Sequence, residues 1–268
     1  MPRAKRHHLP GYVWHITHRC HKREFLLKFA RDRRRWLAWL FEAKKRYGLC
    51  ILDYAVTCNH IHLLVEDTGK PETIARSIQL AAGRTAQEFN HRKNRKGAFW
   101  EDRYHATAVE TGEHLRQCLV YIDMNMVRAG VVTHPREWVH GGYCEIQHPR
   151  QRYRLIDRER LRDLAGASGG EQFFVAHAGW VEEALRVDRH QRERRWTESV
   201  AVGNRPFIEA IRKRLGNVVR GRKSRETEGG WELRERVSPY SASFTTENGC
   251  LTPENAYFWR EKFVFPRG

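Results

Sequence analysis

The stretch Ile51-Leu-Asp-Tyr-Ala-Val-Thr-Cys-Asn-His-Ile-His-Leu-Leu-Val-Glu66 decides the fold. Residues 51–57 are β-branched and aromatic and read as one strand. Residues 60–66, HIHLLVE, read as a second. Only Cys58 and Asn59 separate them, which suits an antiparallel hairpin. Side chains alternate along a strand. His60, His62, Leu64 and Glu66 therefore share one face. Ile61, Leu63 and Val65 share the other, which packs under helices.

Working outward from the hairpin, YVWHITH (12–18) predicts a strand opened by Pro10-Gly11. Residues 30–47 carry Trp36, Leu37, Leu40 and Phe41 at helical spacing, with Gly48 as the stop. After the hairpin, Pro71 suits the first position of a helix running to about Asn90. A basic loop, HRKNRKG (91–97), follows. YHATAVE (104–110) predicts a fourth strand. Thr111 can cap a third helix over about 112–127, stopped at Ala129-Gly130.

The order is β-α-β-β-α-β and then a helix. It predicts an α+β, ferredoxin-like (RRM-like) antiparallel sheet with helices on one face and the other face open. HPREWVHGGYCEI (134–146) reads as a tail on that core. GASGG (166–170) is a break. Helices follow at about 171–186 and 206–215, and a short one opens at Pro253. The expected organisation is a catalytic domain over 1–150 and a basic, mainly helical extension over 151–268.

The chain has 268 residues, with 49 Lys and Arg against 32 Asp and Glu, a net charge of +17. Such an excess points to a polyanion, nucleic acid above all. No apolar run approaches the ~18 residues of a membrane span. The start, MPRAKRHHLP, is not followed by the apolar stretch of a secretory signal. Six scattered cysteines without a CxxC pair favour neither a zinc site nor a disulfide framework. Together these predict a cytoplasmic protein without a membrane partner.

Two imidazoles at i and i+2 on a strand can converge on one divalent ion, and two half-buried structural histidines fit the pattern as well. Glu66 faces the same way but lies two residue pairs along, so it is the weaker ligand candidate. Tyr121 and Asn125 fall at i and i+4, with Gln117 one turn earlier, all on one helix face. His15, His18 and His21 are evenly spaced, but residues three apart on a strand point to opposite faces, so joint ligation is not expected. Tyr104 and Tyr143 lack the Tyr-x-x-x-Asn context.

NHIHLLV (59–65), WEDRYHA (100–106) and YIDMNMVRAGVV (121–132) together resemble the HUH single-tyrosine transposases. The resemblance is to the REP-associated tyrosine transposase group, relatives of small insertion-sequence transposases that act on single-stranded DNA. It covers roughly residues 8–146. It implies that His60 and His62 hold Mg²⁺ or Mn²⁺ and that Tyr121 is the nucleophile. The relatives place a Gln four residues after the Tyr; here that residue is Asn125, as a direct ligand or through a water. Met126 stands where proline is usual.

The implied reaction is cleavage to a 5′-phosphotyrosine and a free 3′-OH, then rejoining, at single-stranded hairpin (REP-like) DNA. No GxxxxGK[ST] element is present, in keeping with a reaction that needs no ATP. Phosphate contacts are expected from Arg92, Lys93, Arg95 and Lys96 in the basic loop, and from Arg103 and His105 beside the site. Arg128 in the tyrosine motif and Arg220, Arg222, Lys223 and Arg225 in the basic run 212–225 complete that set. A monomer and a homodimer both fit. A nucleic-acid binder of the same fold without turnover, or a replication-type nickase, are the rival readings; no helicase motif supports the second.

Overall fold

The computed structural model describes residues 9–70, 72–166, 170–187, 192–216, 222–227 and 229–234. Pro71, Arg220 and the expected helix at Pro253 lie outside them. Strand β1 (Val13–Arg19) is central to the first half. It pairs antiparallel with β3 (His60–Glu66) on one side and β4 (His105–Val109) on the other. β2 (Cys50–Val56) pairs antiparallel with β3. The order β2-β3-β1-β4 is the ferredoxin-like arrangement that the sequence predicts. Register places Thr17 opposite His62 and Arg19 opposite His60.

Helices α1 (Ala30–Tyr47) and α2 (Thr73–Arg92) pack on each other, burying Trp36, Leu37, Leu40, Ile74, Ile78 and Ala82 in the core that holds Ile61, Leu63 and Val65. Gly48 ends α1 with φ 69°, the left-handed turn glycine adopts without a Cβ penalty. α2 runs two residues past its expected end, so His91 and Arg92 are helical rather than loop. The third helix is α3 (Glu113–Asp123), followed after Met124 by a single turn, α4 (Asn125–Arg128). Thr111 does not cap it; Gly112 precedes α3 with φ 73°.

The second face of the sheet is covered, not open as the sequence order suggested. α3 packs against β2, with Leu115, Cys118, Leu119 and Ile122 buried. α8 (Arg195–Glu198) packs against β4 and places Trp196 in the core. An amphipathic helix beside an apolar sheet has no other place to bury that stripe. Between α4 and α8 lie α5 (Tyr143–Gln147), α6 (Arg158–Leu164) and α7 (Gly170–Arg186), the last of these packing on α3.

The sheet does not stop at β4. β5 (Ser199–Gly203) pairs parallel with it through Ala108–Ala201 and Val109–Val202. β7 (Gly230–Arg234) and β6 (Lys223–Thr227) extend it to seven strands in the order β2-β3-β1-β4-β5-β7-β6. The described part of the extension thus carries three strands besides its helices, and no break in the sheet coincides with residue 150. α9 (Arg205–Leu215) starts at Asn204, whose side chain accepts from the Phe207 N–H at 2.8 Å. No helix among the described residues is long and apolar enough to cross a membrane.

Candidate active site

The site is built at the end of β3. His60 Nε2 and His62 Nε2 lie 3.1 Å apart. Their protonation can be read from what each second nitrogen touches. His15 on β1 has Nδ1 2.9 Å from the Trp196 carbonyl, which can only accept. His15 is fully buried, and burial pushes its pKa down to about 3. It is therefore neutral, with its proton on Nδ1 and a lone pair on Nε2. That Nε2 is 2.9 Å from His62 Nδ1, which must donate. His62 is left with its lone pair on Nε2, 2.9 Å from Asn125 Nδ2.

His60 is fixed from its other side. The Asn59 side chain donates through Nδ2 to the Arg23 carbonyl at 3.3 Å, which turns its Oδ1 toward His60 Nδ1 at 2.7 Å. His60 Nδ1 donates to that oxygen, and Nε2 keeps the lone pair. Two such nitrogens 3.1 Å apart repel unless a donor or a cation takes up their lone pairs, and Asn125 Nδ2 donates to that of His62. Two nitrogens bound side by side to one ion at ~2.1 Å are separated by roughly 3.0 Å, which is the arrangement here. His60 and His62 thus fit a divalent ion, and Asn125 would join them through Oδ1, with its amide turned from the orientation in which Nδ2 donates to His62. Among the described residues no group of three or more His, Cys, Asp or Glu is arranged to hold one.

Burial pushes the pKa of His60 down to about 3, with the charges of Arg19, Arg192 and Arg128 adding to it. His62 is held well below its ordinary value, first by burial and then by His60 and His15. Three guanidiniums around two neutral imidazoles make a site that favours an anion. Arg19 is ion-paired with Glu101, and Arg192 with Glu198 at 3.1 Å.

Tyr121 on α3 is 4% exposed and sits edge-on to His62 and His15, with ring centroids 5.9 and 6.1 Å away. The Arg128 guanidinium lies 4.1 Å from its ring centroid and donates to the Tyr121 carbonyl at 2.7 Å. Burial pushes the Tyr121 phenol up, while Arg128 and Arg192 pull it down. Tyr121 and Arg128 also line a cleft of about 310 Å³ between α3 and α7, with Trp180 and Arg195 on its wall.

The structure brings His60, His62, Tyr121, Asn125 and Arg128 together. It does not bring the others to them. Glu66 is engaged by Arg160 through two hydrogen bonds of 2.6 and 2.5 Å. Gln117 lines the same cleft as Tyr121 and Arg128, but its side chain bonds Glu113 and Arg195. His105 lies 3.0 Å from the Ser199 carbonyl, so β5 takes a side chain expected to meet phosphate. Arg92 is ion-paired with buried Asp32, and Arg95 bonds the Ala98 carbonyl and Glu24. Lys93, Lys96 and Arg103 are exposed. Lys223 and Arg225 lie exposed on edge strand β6, with Arg222 half-buried just before it.

The sequence reading missed His15, Arg19, Arg192 and Trp196. His18 does point the other way, onto Trp100 with ring centroids 4.2 Å apart, as alternation requires. His15 reaches the site across strands, through register rather than through spacing along its own strand.

Residues 9–125 match the family model described as IS200-like transposase. Among solved structures, a REP-associated tyrosine transposase bound to a REP hairpin aligns with 20% identity, over 53% of this chain and 82% of that one, at a TM-score of 0.42. A candidate transposase of Deinococcus radiodurans R1 aligns with 17% identity, over 44% and 92%, at a TM-score of 0.32. No curated protein matches the sequence.

Proposed function

We propose, from the match of residues 9–125 to the IS200-like transposase family, that the chain cleaves and rejoins single-stranded DNA through Tyr121. The observation that carries this reading is the pair of His60 and His62 Nε2 atoms, 3.1 Å apart beside the Tyr121 ring. The phenol oxygen attacks phosphorus, the bond to the 3′ oxygen breaks, and a 5′-phosphotyrosine and a free 3′-OH result. Attack by a 3′-OH on the same linkage rejoins the strand without an external energy source.

Tyrosine has an ordinary pKa of ~10 and needs help to lose its proton near neutral pH. Arg128 and Arg192 lower the cost of the phenolate and meet the charge on phosphate. Mg²⁺ or Mn²⁺ on His60, His62 and Asn125 would act as a Lewis acid on the scissile phosphate. His15 and Asn59 hold the two imidazoles in the tautomers that this requires. A hairpin flanked by unpaired bases is the substrate that the resemblance to REP-associated tyrosine transposases implies.

The test is incubation of the full chain with labelled hairpin-bearing single strands and Mn²⁺, resolved on a denaturing gel. A covalent adduct is expected, absent in Tyr121→Phe and in EDTA. An adduct that persists in Tyr121→Phe refutes the assignment. The near-complete burial of Tyr121 favours a second reading, a nucleic-acid binder of this fold without turnover. Tight binding with no adduct in any divalent ion would decide for it.

A further inference from the structure

The loop 21–29, HKREFLLKF, joins β1 to α1 and ends in two exposed aromatic side chains, Phe25 at 42% and Phe29 at 56%. Neither packs into the core, and large apolar side chains kept in water on a cationic surface are a feature to explain. The loop begins with two successive non-glycine residues at positive φ, Lys22 at 50° and Arg23 at 60°. Such a backbone persists only where its surroundings hold it. Here the Arg23 carbonyl accepts from Asn59, and the Cys20 N–H donates to the Asn59 carbonyl at 2.7 Å. Asn59 is the residue that orients His60. The loop is thus anchored directly to the candidate active site.

On its other side the loop meets the end of α2. Lys93 Nζ lies 5.6 Å from the Phe29 ring centroid, and Arg95 pairs with Glu24. Glu24 is the one acid in 21–31, and 91–97 has none. Lys22, Lys28, Arg31, Lys93 and Lys96 are all exposed, and none of the five makes an ion pair with another described residue. Aromatic faces among uncompensated cations are what an unpaired polynucleotide requires. Its phosphates need positive charge, and its bases, stripped of their stacking neighbours, need a flat apolar partner.

We propose that Phe25 and Phe29, with these five cations, form a stacking surface for unpaired bases of the DNA strand leading out of the active site. The proposal rests on single-stranded DNA being the substrate. Charge complementarity selects the occupant. A protein partner would find only Glu24, already paired with Arg95, to match its own basic groups, whereas a polyanion finds five cations.

The experiment measures binding of a fluorescent hairpin oligonucleotide with unpaired flanks to the full chain by anisotropy, at several salt concentrations. Phe25→Ala/Phe29→Ala is expected to weaken binding about fivefold or more, the low end for loss of one base–aromatic stack. The slope of log affinity against log salt should stay unchanged, because no cation is removed. An abasic nucleotide walked along the unpaired flank should weaken the wild type at one or two positions. At those positions it should cost the double variant nothing further, and Phe29→Trp should bind as the wild type does. Equal binding by the double variant, or a loss that no abasic position cancels, overturns the proposal. If the wild type still forms the Tyr121 adduct in that case, only this surface falls. If the wild type binds no single strand, the functional reading falls with it.

Discussion

His15 makes no contact that a metal ion would see, yet its removal should weaken metal binding. In His15→Ala one buried group, His62 Nδ1, loses its partner, while the Trp196 carbonyl keeps its bond from Thr107 Oγ1. An orphaned buried group costs about 1–3 kcal/mol, and the fold should lose about that much. That is less than the stability of a typical chain at its upper range, and the variant should fold with a lowered Tm. The larger consequence is at His62. Without a partner on Nδ1 its proton is free to move to Nε2, which removes the lone pair facing His60 and Asn125. Loss of such an orienting partner lowers metal affinity about 10–100-fold. His15→Gln offers one donor and one acceptor and should recover most of it. Mn²⁺ binding followed by electron paramagnetic resonance, with circular dichroism as a check on folding, reads this without any turnover. Folded His15→Ala that binds Mn²⁺ as tightly as the wild type would refute the relay. So would nitrogen-15 spectra placing the wild-type His62 proton on Nε2.

Glu66→Gln should leave Mn²⁺ affinity unchanged, because Arg160 and not the histidines holds that carboxylate; a drop beyond threefold in the same titration would return Glu66 to the ligand set. Its stability loss should be about 1 kcal/mol, since Arg160 is half exposed. Asp53 is fully buried, and burial, then the charge of Asp123, raises its carboxyl pKa. The folded chain therefore holds a proton that the unfolded chain releases above ~3.9. The resulting stability is complete below that value and is lost as pH rises through the raised one. Asp53→Asn cannot ionise, so its urea midpoint should fall less than the wild type's between pH 4 and 8; parallel curves would show that Asp53 carries no such linkage. If β6 touches DNA, Lys223→Ala/Arg225→Ala should flatten the salt slope of binding by up to ~1.4, that is 0.7 for each lost phosphate contact. An unchanged slope would leave these two residues as solvent-facing charge on an edge strand.

The parts of this molecule that were legible from sequence are those fixed by local periodicity. HIHLLVE occupies β3 residue for residue, because strict alternation leaves little freedom, although β2 ends at Val56 and the connection is three residues, Thr57, Cys58 and Asn59, rather than two. Trp36, Leu37 and Leu40 fall in the core for the same reason. What was illegible depends on pairing between distant segments. His15 looked like one member of an evenly spaced histidine series, and only the β1–β3 register brings it to His62. Trp196 gave no sign, because its contribution is a backbone carbonyl. α8 is a single turn, so its carbonyls lack helical partners, and Trp196 offers its own to His15 and to Thr107 Oγ1. Arg92 and Arg95 were read as phosphate ligands from charge alone. Asp32 and Glu24, sixty and seventy-one positions away, occupy them instead.

Covering the sheet changes the chemistry available to the histidine pair. On an open ferredoxin-like face His60 and His62 would titrate near 6.5. Protons would then compete with a metal ion for the same lone pairs across much of the neutral range. Under α3 and α8, burial and the neighbouring guanidiniums push His60 down to about 3 and hold His62 well below its ordinary value. Both shifts favour the neutral imidazoles, and the tautomer is set by Asn59 on one side and His15 on the other. The segment that supplies α8 lies far outside the residues matching the transposase family, and so does His177 on α7, which bonds Asp123 of the tyrosine helix at 2.8 Å. Both ends of the site, imidazole tautomer and nucleophile helix, are therefore held by residues from the extension. The extension is part of the candidate catalytic machinery, through what it does to protons and to the placement of α3, although it contributes no side chain to the group of His60, His62, Tyr121 and Asn125.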